Sequence, residues 1–533
     1  MYINSVCIVG GGSSGWMTAA ALAKKYPEVN ITLIESDNIP TIGVGESTLG
    51  HINRYFRLLE LEDKDWMSEC DATYKTSIKF TNFRKDGGYF HYPFGFRNES
   101  RLPPVALFDM RWNKHFKSRD ELNHRTYAEV MHDQTIMTDM GKLTFNYDKK
   151  IEGFNFPTDT AYHMSADKFG QFLKKQFCKS IKHIVGNVEH VEYDETKTNI
   201  KFLKTTKGVL TADLFIDCTG FKSLLIGPMT SFISYNPMLK NNRAVTCHIP
   251  YKDKEKQMLS VTNCQGMNAG WTFEIPLWNE MGIGYVHSSD YLSWEEAEQE
   301  LREYMGVDVK KFNRVQIRHG RQEEAWVGNC LGVGLSYGFI EPLESTGLMT
   351  THENILRLID TLDCRDRLVT KIDREMYNGT ANLQLDVMYQ FVAFHYASAS
   401  RTDTKYWRDV LDNVSYLGNK FNYRGTEISG PSNIFERIAK DIRGTHDVKD
   451  TIGILDGFLY ILFGQDYTFR SETLSDWFTW ENPQERASLH RQQEVIWSQY
   501  KKHREQLIEH IKTLPSHMQF LQENIYHGTS RPS

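Results

Sequence analysis

Ser5-Val6-Cys7-Ile8-Val9-Gly10-Gly11-Gly12-Ser13-Ser14-Gly15 is the stretch on which the fold turns. Ser5–Val9 is a short apolar run that reads as a buried strand, and Gly15–Lys25 reads as a helix that Pro27 ends. Asn30–Ile34 reads as a second strand, which completes a βαβ unit. Between the first strand and the helix the residues match G-x-G-x-x-G, in the context that gives this motif a mechanism. Gly10 permits the tight turn, Gly12 lets the backbone approach a pyrophosphate, and Gly15 lets helix and strand pack closely. The helix start, with Ser13 and Ser14, offers free N–H groups and a partial positive charge to phosphates. Glu35, just past the second strand, is placed to accept hydrogen bonds from ribose hydroxyls.

The motif alone does not separate FAD from NAD. Two later segments favour FAD. Asp217-Cys218-Thr219-Gly220 follows the apolar run 210–217, as a second dinucleotide-contacting turn would. Gly332-Val333-Gly334-Leu335-Ser336 precedes Phe339-Ile340-Glu341-Pro342, an approach to the flavin in which Gly334 is a candidate contact. No second G-x-G-x-x-G follows a strand, so reduced flavin is expected from elsewhere.

Farther out, Pro40–Ser47 reads as a loop and Lys75–Phe83 as a strand on which Lys75 and Lys79 share a face. Residues 84–160 are irregular and aromatic-rich. A helix is expected over 166–182, paired strands over 183–203, and further strands through 243–290. Ser293 and Glu296 form a capping box that opens a helix to Met305. Helical patterns dominate from Thr346 onward, including the amphipathic run 484–513, with Trp477 and Trp480 in that half. The expected architecture is α/β: an FAD-binding, Rossmann-like (flavin monooxygenase-like) core over 1–83 and 160–350, interleaved with a mainly helical substrate subdomain over 84–159 and 351–533.

Bulk properties exclude several classes. The 533 residues suit one large enzyme domain with a second subdomain. Lys+Arg 62 against Asp+Glu 68 leaves a net charge of -6, which argues against nucleic acid as the main partner. None of the eight cysteines forms C-x-x-C or has zinc-ligand spacing, and His352-Glu353 does not extend to H-E-x-x-H, so no metal is expected. No apolar stretch approaches the ~20 residues of a membrane span, and the start lacks a basic signal-peptide region. A cytoplasmic protein with reduced thiols is expected, and the sequons at Asn30, Asn98, Asn378 and Asn413 are read as chance matches. The C-terminal helices could pack within the chain or make a homo-oligomer face.

Several segments resemble the flavin-dependent tryptophan halogenase family, from Val6 to about Asp409. Gly10–Met17 resembles its glycine-rich start, and Ile42-Gly43-Val44-Gly45-Glu46-Ser47-Thr48 its mobile loop beside the flavin. Tyr74–Phe80 resembles the stretch that holds its lysine. Gly270-Trp271-Thr272-Phe273-Glu274-Ile275-Pro276 resembles its G-W-x-W-x-I-P element, with Phe273 where a second Trp stands in the family. Glu341-Pro342-Leu343-Glu344-Ser345-Thr346-Gly347 resembles its halide and catalytic segment.

The resemblance implies that reduced FAD, O2 and halide yield hypohalous acid, which passes along an internal channel to an aromatic substrate. It assigns Lys75 to activating the acid, with Lys79 as rival, and Glu344 to orienting the electrophile and taking the ring proton, with Ser345 touching the same groups. It places halide at the N–H groups of Thr346 and Gly347, and flavin contacts at Gly43, Val44, Gly45 and Glu46. It makes Trp271 a barrier between flavin and substrate. The smaller Phe273 suggests a wider passage and tolerance of bromide or iodide. His91, Tyr92 and Phe94 lie where the family clamps its substrate ring, although a loop packed on the core is an equal reading. Residues 451–463 lack the dense Tyr, Glu and Trp set that grips tryptophan, so another indole or a phenol is the expected substrate. A flavin reductase is the implied partner. The rival readings are a flavin-dependent aromatic hydroxylase and a non-catalytic flavoprotein.

Overall fold

The protein is described by a computed structural model covering residues 1–37, 43–95, 127–236, 238–413, 421–423, 426–428, 454–466 and 483–527. Pro40, Thr41 and Ile42 of the expected loop, Asn98, residues 451–453, Trp477 and Trp480 lie outside the described residues.

The expected βαβ unit forms as strand β1 (Ser5–Val9), helix α1 (Ser13–Lys25) and strand β2 (Asn30–Glu35). The helix starts two residues before Gly15, because the turn itself winds into it. β1 and β2 pair in parallel at the centre of a six-stranded sheet. Leu214–Asp217 and Cys330–Gly332 extend the sheet on one side of β1, and Lys182–Val185 extends it beyond β2, all parallel. Strands from distant parts of the chain thus assemble one sheet.

A second sheet of seven strands runs from Asn313–Gln316 through Arg243–Ile249, Met281–His287, Gly270–Pro276, Val261–Met267 and Ser77–Thr81 to Tyr89–Pro93. The single strand expected over Lys75–Phe83 is two. Thr73–Lys75 pairs with Ala161–Met164 in a small sheet, whereas Ser77–Thr81 joins the large one. Thr76 breaks the run by donating its N–H to Ser260 O at 2.8 Å. Lys75 and Lys79 therefore do not share a face, and the strand periodicity that made them rivals does not apply.

The Ser293 capping box opens the Trp294–Met305 helix as expected. Helices dominate after Thr346, namely Thr346–Asp363, Lys371–Ala397, Lys405–Asn413, Ile454–Gly464, Pro483–Lys512 and His517–Asn524. The first of these packs on α1 and on the Lys371–Ala397 helix. Tyr526, just past the His517–Asn524 helix, stacks on Trp278 at 3.9 Å between ring centroids. Among the described residues no helix is long and apolar enough to cross a membrane.

Candidate active site

The glycine turn behaves as its spacing implies. Gly10 has φ +116, and a Cβ there would lie 2.2 Å from Cys218 O. A Cβ on Gly15 would lie 1.9 Å from Gly10 O, so both positions exclude a side chain on packing grounds. Gly12 differs, because a Cβ on it would meet nothing within 4 Å. It caps α1 without any side-chain hydrogen bond and faces a cavity of about 500 Å³. Gly10, Gly12, Ser13, Ser14, Glu35, Val44 and Glu46 line this cavity, together with the Cys218–Lys222 turn. The first N–H groups of α1, at Ser13 and Ser14 in the cavity lining, have no intrahelical partner. An open cradle at a helix start, flanked by an acid at the end of β2, fits a bound dinucleotide. Glu35 Oε1 also accepts from His183 Nε2 at 2.8 Å.

Gly15, Gly43, Gly45 and Gly334 are not among the lining residues. Gly334 has φ +70, and a Cβ there would sit 2.7 Å from Ser14 Oγ, so it lets the second turn abut the first. Burial lifts the Glu46 carboxyl to about 7.

Lys75 lies one residue behind the same wall. Glu46 lines the cavity while its neighbour Ser47 accepts from Lys75 Nζ at 2.8 Å. Gly347 lines the cavity while Ser345 Oγ accepts from Nζ at 2.6 Å. Thr48 O takes the third bond, at 3.0 Å, and the Phe94 ring lies 5.0 Å from Nζ. The lysine is 0% exposed, and burial pushes its pKa down to about 7, against the opposing pull of Cys264 and Glu344. Lys79 is elsewhere: its Nζ bonds Asp139 Oδ1 at 2.9 Å and lies over the Tyr89 ring.

The hydroxyl protons around Lys75 can be placed by elimination. Pro276 O can only accept, so Thr73 donates to it at 2.6 Å and accepts from His163 Nδ1 at 3.2 Å. Burial, then the Lys75 charge, holds His163 well below its usual pKa, so its Nε2 is bare and accepts from Thr262 Oγ1 at 2.8 Å. Thr262 must then accept from Ser47 at 2.7 Å, and Ser47 from Lys75. Ser345 is left to donate to Ser47 at 3.0 Å while it accepts from Lys75. Every contact is satisfied when Lys75 is an ammonium.

Successive residues of one turn reach the other walls. Glu341 Oε2 accepts from Trp271 Nε1 at 2.8 Å, Asn241 Nδ2 at 2.7 Å and Tyr396 OH at 2.8 Å. Glu344 Oε1 meets His395 Nε2 at 2.5 Å. Ser345 has φ 57 and precedes the Thr346–Asp363 helix, whose start carries no side-chain cap. Thr346 Oγ1 is buried without a partner among the described residues, and a Cβ on Gly347 would meet nothing within 4 Å of them. An uncapped helix start with an orphan hydroxyl suits an anion.

The expected substrate residues divide. Phe94 faces Lys75. His91 is buried and engaged by Ser77 Oγ at 2.9 Å and Asp139 Oδ1 at 3.1 Å. Phe273, expected beside the substrate, lines the dinucleotide cavity instead, because it points from the Gly270–Pro276 strand over Gly284. Trp271 lies on the same strand face, 6.1 Å from Phe273 between ring centroids and fully buried. Ser47, Thr48, His163, Glu341 and His395 were not singled out by their residue types. Ser47, Thr48 and Glu341 stood within quoted motifs, whereas His163 and His395 carried no local signal. Asp133, Glu152 and His503 could together hold a cation, but His503 Nε2 already bonds Asp133 Oδ2 at 2.7 Å.

The family model described as tryptophan halogenase matches residues 5–435. The 7-chloro-L-tryptophan 6-halogenase KtzR of a Kutzneria species is 35% identical over 427 residues, which cover 76% of this chain and 81% of the relative. The apo structure of VirX1 superposes with a TM-score of 0.86 at 39% identity, covering 99% of both chains. The tryptophan 6-halogenase SttH of Streptomyces toxytricini superposes at 0.78 with 29% identity, covering 97% of this chain and 99% of that one.

Proposed function

Because this chain belongs to the tryptophan halogenase family, a family of flavin-dependent enzymes on an FAD-binding Rossmann-like fold, we propose that it halogenates an electron-rich arene of indole or phenol type at Lys75. The observation that carries this reading is a fully buried ammonium one residue behind the dinucleotide cavity, held by Ser47, Thr48 and Ser345. Reduced FAD, bound on the Gly10–Gly15 turn and supplied by a separate flavin reductase, provides hypohalous acid from O2 and halide. Thr346 and Gly347 hold the halide at the helix start. Trp271, pinned by Glu341, keeps the arene from the flavin, so the acid must pass the Ser47–Ser345 partition.

At Lys75 the steps balance without another reagent. The arene attacks the halogen, and the Lys75 ammonium gives a proton to the departing hydroxide, which leaves as water. The ring C–H then breaks, its electron pair returns to the ring, and Glu344 takes the proton. Return of that proton to Lys75 restores both groups.

Seven of the eight cysteines are buried and all are free, which suits a reducing cytoplasm. Phe273 narrows the cavity less than Trp would, which favours turnover of bromide or iodide beside chloride. A reductase-coupled assay over a panel of indoles and phenols with each halide tests the reading by product mass. Halogenated product is expected, with Lys75→Ala losing at least ~10²-fold while FAD still binds. An oxygenated product would give the hydroxylase reading instead, and strict chloride preference would remove the halide argument.

A further inference from the structure

We propose that His395 is the proton-sharing partner of Glu344, and that the two act as one base with Glu344 Oε2 as the working oxygen. The proposal rests on the halogenase reading above and assigns a positioning role to a residue of the helical half. His395 Nδ1 lies 2.9 Å from Phe391 O, the carbonyl one turn earlier in the Lys371–Ala397 helix. A carbonyl only accepts, so Nδ1 carries a proton. His395 Nε2 lies 2.5 Å from Glu344 Oε1. Two bare lone pairs would repel at that distance, so a proton lies between them. The pair is either imidazolium with carboxylate or imidazole with carboxylic acid, and in both cases it holds one shared proton and is neutral overall. Both side chains are nearly water-free, at 0% and 3% exposure.

The ring cannot turn away from this contact. The Phe80 and Phe391 rings lie 5.0 and 5.2 Å from it, and Gln465 Nε2 ties the His395 carbonyl at 2.7 Å. Oε1 is therefore committed, whereas Glu344 Oε2 has no hydrogen-bond partner among the described residues. Oε2 is the oxygen left for a substrate proton. When the arenium C–H breaks, the electron pair returns to the ring and the proton goes to Oε2. The shared proton sits on His395 at that moment, which leaves Glu344 as the carboxylate that can accept. A neutral amide at position 395 could still hydrogen-bond Oε1, but it cannot hold the shared proton, which would then stay on the buried Glu344 as a carboxylic acid unable to accept another.

The test is an arene deuterated at the substituted carbon, turned over by the full FAD-loaded enzyme and by H395Q. Wild type is expected to show no primary isotope effect on kcat, because proton loss follows the slower attack. H395Q is expected to lose roughly 10²-fold in kcat and to gain a primary isotope effect. A wild-type rate in H395Q, or a slowed H395Q without an isotope effect, would overturn the proposal. A second arm needs no turnover and no variant. In the ¹⁵N-histidine-labelled full chain, the shared proton should give a strongly low-field resonance coupled to an imidazole nitrogen. Its absence would overturn the pair. Failure of wild type to halogenate any arene would sink the halogenase reading and leave this resonance to be decided separately.

Discussion

Lys75 Nζ and Ser345 Oγ lie 2.6 Å apart although 270 residues separate them in the chain. The contact joins the small sheet to the start of the Thr346–Asp363 helix, and it closes the partition between the dinucleotide cavity and the buried ammonium. Nζ has three acceptors, and two of them, Ser47 Oγ and Thr48 O, cannot reverse their role. On the proposed reading, Ser345 is the one that gives way to hypohalous acid.

That arrangement fixes the sign of the pH dependence. In the proposed mechanism the lysine works as an ammonium, and burial brings its pKa to about 7. Halogenation should be fullest below this value and fall as pH rises through it, measured as kcat against pH with flavin supply in excess. Glu46 also titrates near 7 at the cavity wall, so the same profile in Glu46→Gln separates the two. A falling limb that persists there belongs to Lys75, whereas a rate that climbs with pH would point to the free amine.

Two glycines should fail differently. Gly12→Ala adds a methyl group to open space and should leave the melting temperature unchanged while weakening FAD binding by tenfold or more, read by flavin fluorescence. Gly15→Ala drives a methyl group to 1.9 Å from Gly10 O and should lower the melting temperature of the apoprotein itself. Equal loss of stability in both would remove the assignment of Gly12 to a ligand.

Trp271→Phe removes one of three donors from Glu341 Oε2, a carboxylate whose other oxygen is buried without a partner among the described residues. The expected cost is about 1–3 kcal/mol, measured by denaturant unfolding. An unchanged midpoint would show that the indole N–H does not anchor the barrier.

Much of the cofactor half was legible in the sequence. The strand, glycine turn, helix and acid of 5–35 follow from local sterics: each glycine's duty depends on neighbours a few residues away, and the βαβ hand follows from chain chirality. The Ser293 capping box is local in the same sense, and it too formed where it was read. Lys75 and the Glu341–Gly347 turn were singled out by motif, yet the periodicity argument also admitted Lys79. Thr76 breaks the strand between the two lysines by bonding Ser260, a residue far along the chain, so that periodicity no longer relates them.

What tertiary structure alone decided is the set of polar partners. His163 and His395 look like any core histidines in the sequence, and a strand pattern places Phe273 no nearer the substrate than the flavin. Their roles arise when distant segments are packed at a density that excludes water. Each buried donor must then find the acceptor that folding brings to it. Local sequence sets backbone conformation within a few residues, whereas the protonation of Lys75 and the partner of Glu344 depend on contacts across the whole chain.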